Sequence, residues 1–219
     1  VKGMGKILEI EADRFRQLSL NEDMIRREAG AVMGEYRKGR NSPSNLLYEK
    51  LISTAFVQHG YGHSTIGHKR DLKAMPQGMK HIQQFYYDHY RPENTVVVVA
   101  GGIKTAAAFQ AIRKHFGKWK AKTAQSSSPK PTKELAQKGA RKASIVWKNS
   151  KTTPLLKIAY KTPAFSPKSA ARLALIAELL GAKSSPLWQK LIVHSKAPAL
   201  FFSAKDSRRI DPGLFTLSL

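Results

Sequence analysis

The chain has 219 residues, with 38 Lys and Arg against 15 Asp and Glu, a formal net charge of +23 and no cysteine. The lack of cysteine excludes disulfides, thiolate metal sites and a cysteine nucleophile, and it fits an extracytoplasmic bacterial protein such as a periplasmic one. The length predicts one or two domains, and no apolar run approaches the roughly eighteen residues of a membrane-spanning helix.

In chain order, residues 5–18 show Ile7, Leu8, Ile10, Phe15 and Leu18 at mixed helical spacing and predict a helix. A short turn leads into NEDMIRREAGAVMGEYRKGRNSP (21–43), the stretch that predicts a long helix. Asn21 suits its N-cap, Glu22 and Asp23 suit the positive end of its dipole, and Arg37, Lys38 and Gly39 suit its exit. Glu28 and Glu35 lie seven residues apart, nearly two turns, so both carboxylates project from one face. Taken alone, such a pair is a solvated face. Gly30 and Gly34 each cost about 1 kcal/mol in helix propensity relative to Ala, which suggests close approach of another element.

Residues 44–58 predict a third helix, with Leu46, Leu47, Leu51, Ile52, Ala55 and Phe56 in its stripe. HGYGHSTIGHKRDL (59–72) follows. His59 and His63 have the i, i+4 spacing of a helical metal pair, but Gly60 and Gly62 argue against a helix, so a structural loop is expected. Residues 76–90 predict a helix with Ile82, Phe85, Tyr86 and His89 on its apolar side. Arg91–Asn94 reads as a turn, and Thr95–Ala100 as a continuous apolar strand, buried on both faces or central in its sheet. Gly101-Gly102 lacks the spacing of a phosphate loop. Thr105 is expected to cap a helix over 106–116.

The polar, basic, Ser/Pro-rich residues 122–140 predict a linker, mobile at 124–132. Beyond it come predicted strands at 143–147 and 155–160, then a helix at 166–181 with Gly181 as its C-cap. A further helix at LWQKLIVHS and strands at 199–205 and 213–219 complete the chain. The expected fold class is therefore α+β, two domains each built of a mostly antiparallel sheet covered by helices. They divide as 1–121, a 122–140 linker and 141–219.

ADRF (12–15), the Glu28-x-x-x-x-x-x-Glu35 pattern, YGHSTIG (61–67), FYYDHYRPENTVVVVAGG (85–102) and DPGLF (211–215) stand in one order along the chain. In that order they resemble the insulinase/pitrilysin-like zinc metallopeptidases, the inverzincins that include the mitochondrial processing peptidases. Gly60 and Gly102 depart from the family pattern. No H-x-x-E-H occurs in the 219 residues. The resemblance places that motif upstream of the ADRF-like stretch, so the chain looks like an internal part of a longer peptidase, with both pseudo-repeated domains incomplete.

What the resemblance implies is zinc-assisted hydrolysis of peptides or small proteins. Two His and one Glu hold the metal, and the H-x-x-E-H glutamate acts as general base. Glu35 matches the third zinc ligand, and Glu28 the neighbouring glutamate that orients a ligand or water. The 219 residues alone are then expected to be inactive, because one carboxylate cannot make a catalytic zinc site. A homo- or heterodimer with a family subunit is also compatible.

Two other readings compete: a noncatalytic partner subunit or peptide-binding scaffold, and a basic polyanion-binding protein. Retention of both Glu28 and Glu35 favours the peptidase over the scaffold. The basic residues are spread along the chain and no aromatic-interleaved motif accompanies them, so nucleic acid binding is expected only nonspecifically. Heparin or DNA should bind weakly and elute at modest salt, because counterion release dominates such contacts. Sequence-specific binding that persists at high salt would reverse the order of these readings.

Overall fold

The structure, a computed structural model, describes residues 3–122, 130–148 and 152–219. Residues 124–129 of the expected mobile stretch lie outside them. The helices are α1 (Met4–Arg16), α2 (Glu22–Arg40), α3 (Pro43–Ala55), α4 (Lys69–Ala74), α5 (Met79–His89), α6 (Thr105–Phe116), α7 (Pro167–Gly181) and the short α8 (Pro186–Trp188). The strands are β1 (Lys157–Lys161), β2 (Ser203–Asp206) and β3 (Leu214–Ser218). The chain forms two compact units, Val1–Gly34 with His68–Lys130, and Glu35–Gly67 with Pro131–Leu219.

In the first unit α1 packs against α6, burying Leu8 and Ala12 on one helix and Ala108 on the other. The end of α1 is tied down from two sides. The Tyr86 hydroxyl of α5 reaches the carbonyls of Arg14 and Phe15 at 3.0 and 2.9 Å, and Arg16 donates to the His115 carbonyl at 2.8 Å. These bonds satisfy acceptors that every helix C-terminus leaves open. The Phe15 ring adds contacts with Tyr90 and Trp119, at 5.7 and 5.6 Å between centroids. Burial, reinforced by Tyr87 and Tyr90, pushes the Tyr86 phenol above its ordinary pKa, so it remains a donor at neutral pH.

The run Thr95–Ala100 departs from expectation. It belongs to no helix or strand, and among the described residues Val96–Ala100 form no backbone–backbone hydrogen bond. Val96 is 86% and Val98 80% exposed. The run as a whole, with Met4, Ile7 and Leu8 of α1, lines an apolar cavity of about 530 Å³. A strand is buried on both faces only when neighbours flank it, and the described residues supply none.

In the second unit, Ser42 caps α3 by accepting from the Asn45 amide at 3.3 Å, as its sequence position suits. Ile52 and Phe56 at the end of α3 meet Leu214 of β3, with Tyr61 and Ala159 packed around them. The sheet is antiparallel in the order β1-β3-β2, pairing Tyr160 with Phe215 and Asp206 with Phe215 on the two sides of the central strand. α7 packs on β2. It opens with a reciprocal Ser166–Ser169 capping box at 3.0 and 3.1 Å.

The α+β class with an antiparallel sheet holds, and the predicted helices appear with edges moved by a few residues, except LWQKLIVHS, of which only Leu187 and Trp188 are α-helical. Other local expectations fail. Residues 143–147 join no ladder, and Val146 is 78% exposed. Lys104 rather than Thr105 is the α6 N-cap, and Gly181 is the last helical residue of α7, with Ala182 as its C-cap. Residues 69–72 of the expected loop belong to α4, and Phe85 is 53% exposed. The segment after Trp188 widens into a π turn over Gln189–Val193.

Tyr86→Phe should lower the unfolding free energy by about 1 kcal/mol, the usual net value of one hydrogen bond. Urea denaturation with an unchanged midpoint would show that the end of α1 does not depend on that hydroxyl.

Candidate functional site

Helix α2 forms as the sequence predicts. Asn21 Oδ1 accepts from the Met24 amide at 2.9 Å, completing the N-cap. Arg26 pairs with Glu22 at 2.9 Å and with Asp23 at 3.5 Å, the i, i+4 and i, i+3 neighbours on the helix surface. Ile25 and Ala29 face inward. Glu28 and Glu35 are both exposed. On a continuous helix a seven-residue step leaves them only about 20° apart around the axis.

Neither Glu28 nor Glu35 has a hydrogen bond or ion pair among the described residues. A Cβ added at Gly30 or Gly34 would meet nothing within 4 Å, so the close approach expected from those glycines is not present among the described residues. The described residues also contain no group of three or more His, Cys, Asp or Glu able to hold a metal ion. Among the described residues the donors do not by themselves complete a catalytic zinc site, which needs three protein ligands, and α2 would supply only the carboxylate part of one.

His59 and His63 are confirmed as loop residues. His59 is buried and begins the 3-10 turn Gly60–Gly62, its Nδ1 accepting from the Tyr61 amide at 3.0 Å. Its Nε2 lies 3.4 Å from Asp211 Oδ2, an electrostatic contact that lacks hydrogen-bond geometry. The Asp211 amide donates to the Tyr61 hydroxyl at 3.4 Å. Gly62 is required here, since a Cβ would sit 2.7 Å from the Phe56 carbonyl oxygen.

Sequence reasoning missed the most polar junction of the second unit. The Glu134 carboxylate accepts from the backbone amides of Val57, Gln58 and His59 at 2.9–3.0 Å. Partial desolvation acts to raise its pKa, but the amides of His59, Val57 and Gln58, with the Lys161 charge, outweigh that and hold it at about 2. Lys161 Nζ stands 3.4 Å from the Phe56 ring centroid. Burial lowers the lysine's pKa, with Glu134 opposing the shift and Arg141 reinforcing it. A lone Glu in a Lys-rich stretch carries no sequence signal of this role.

The family described as "Peptidase M16 inactive domain" matches residues 79–219. The chain is 33% identical over 203 residues to the zinc protease PqqE of Helicobacter pylori, covering 91% of this chain and 45% of that protein. The crystal structure of a protease from Helicobacter pylori superposes with a TM-score of 0.89 at 31% identity, covering 99% of this chain and 51% of the other. The beta subunit of the bovine (Bos taurus) mitochondrial-processing peptidase is 24% identical over 116 residues, 53% of this chain and 23% of that subunit. The chain belongs to the M16 peptidase family, as its motif order implies, and it spans about half the length of the Helicobacter relatives.

Glu28 and Glu35 are exposed and their side chains make no bond among the described residues. Glu28→Gln and Glu35→Gln in the 219-residue chain should each change stability by less than about 0.5 kcal/mol. A thermal or urea shift well beyond that would reveal an ordinary structural carboxylate.

Proposed function

We propose that the complete protein is a zinc-dependent metalloendopeptidase acting on peptides or small proteins, and that this chain contributes the α2 carboxylates to its metal site. Glu35 is the ligand in this reading, and Glu28 orients a ligand or water. The two histidine ligands and the general base come from H-x-x-E-H outside these 219 residues.

The observation that carries the reading is the state of Glu28 and Glu35. In a chain of net charge +23, carboxylates have cations in excess, and Glu22 and Asp23 on the same helix use Arg26. Glu28 and Glu35 do not pair among the described residues, and no packing requirement accounts for them. Two carboxylates left open on one helical face, in a family whose relatives are named zinc proteases, support the reading of a cation held there together with other ligands.

A second reading has its own support. The family description matched to residues 79–219 is that of an inactive domain, and a related peptidase is named as a subunit. A noncatalytic subunit, or a scaffold that binds extended peptide and pairs with another family member, would keep this fold without turnover. Among the described residues no helix is long and apolar enough to cross a membrane.

Metal analysis and peptide turnover on the longer protein decide between them. With H-x-x-E-H present, zinc should bind stoichiometrically and cleavage should be abolished by a chelator. Glu35→Gln should lose most metal affinity, because a neutral amide oxygen is a weaker ligand than a carboxylate. Glu28→Gln should cost roughly 10–100-fold in activity with less metal loss. The metal-site reading fails if the Glu35 variant keeps full zinc occupancy and full activity.

A further inference from the structure

Helix α3 ends at Ala55 against the small core of the second unit, and the chain leaves it through Val57, Gln58 and His59. Two kinds of backbone group are open at such an exit: the last helical carbonyls, and the amides that follow in non-helical conformation. Both are satisfied from one distant segment. Glu134 accepts from all three following amides at 2.9–3.0 Å. Arg141 Nη1 donates to the Thr54 and Ala55 carbonyls at 3.0 and 3.2 Å. The anion meets donors, and the cation meets acceptors at the negative end of the helix dipole.

The segment between them has little else to hold it. Residues 131–141 form no helix or strand, Leu135 is 65% exposed, and Gln137 spends its side-chain amide within the segment, on the Gly139 carbonyl at 2.7 Å. We propose that residues 131–141 form an electrostatic strap over the exit of α3, closed by Glu134 and Arg141 as one two-point clip, and that this strap fixes the His59 turn.

The groups facing the clip are consistent with that role. Lys161 of β1 adds a positive charge near Glu134 while resting on the Phe56 ring. His59, whose amide binds Glu134, leans on Asp211, and Tyr61 lies between Phe56 and Arg209. The Glu134 carboxylate is stabilised in the folded state, so its pKa is depressed. Its contribution is complete above the ordinary value of 4.5 and is lost as the pH falls through about 2. The strap therefore stays closed at any neutral or mildly acidic pH.

Residue-resolved hydrogen exchange on the 219-residue chain tests the clip. In Glu134→Ala the amides of Val57, Gln58 and His59 should exchange at least about tenfold faster, while α7 and the β1-β3 ladder keep their protection. Glu134→Gln, which retains an uncharged acceptor and nearly the same shape, should fall between the two and reads the interaction even if the alanine variant unfolds. Arg141→Ala should accelerate the same three amides. Combined with Glu134→Ala it should add less than the product of the two single effects, because a two-point clip opens once. If the three amides exchange at the original rate in Glu134→Gln, or if the two single effects multiply independently, the strap is not a clip.

Discussion

Where α3 ends, two charged side chains bond the backbone beside a small apolar core. The core there is small: Ile52, Phe56 and Leu214, with Tyr61 and Ala159 against them. Three amides on one carboxylate, and two helical carbonyls on one guanidinium, link that core to a segment with no regular structure of its own. Charge-assisted bonds to backbone groups are about twice as strong as neutral ones. The 3-10 turn that carries His59 and the close approach of Gly62 to Phe56 both follow from where this junction puts the chain.

In the first unit the Tyr86 hydroxyl reaches the final carbonyls of α1, and Arg16 at the end of that helix donates to the His115 carbonyl of α6. Elsewhere the unit is open. Val96 and Val98 stand in solvent from a backbone with no ladder partner among the described residues, beside an apolar cavity. An uncharged, β-branched run in that state is a template for strand pairing. The α2 carboxylates are open in the same sense: formed and accessible, without partners in the described chain.

Much of this was legible in the sequence because it depends on neighbours along the chain. The caps Asn21, Ser42 and Ser166 act on amides three residues away, and helical periodicity is a local pattern. The family is legible for a different reason: its motifs keep their order over nearly the whole chain, and Glu28 and Glu35 need only one continuous helix to share a face. The errors fall where a segment requires a distant partner. Residues 95–100 and 143–147 have strand composition, but a strand exists only when another backbone lies beside it. Gly30 and Gly34 suggested a neighbour by their propensity cost, and no neighbour is present among the described residues.

The sequence by itself determined most of the helices, the Asn21 cap, the family, and the two carboxylates of α2, because each is set by residue type and spacing along the chain. Only the tertiary structure decided that those carboxylates are without partners among the described residues, and that the only metal-competent groups the chain offers there fall short of a site. It alone brought Glu134 and Arg141 to the exit of α3, more than seventy residues earlier in the chain. A side chain's partner at that separation is set by the path of the whole backbone, and no local pattern of residues encodes it.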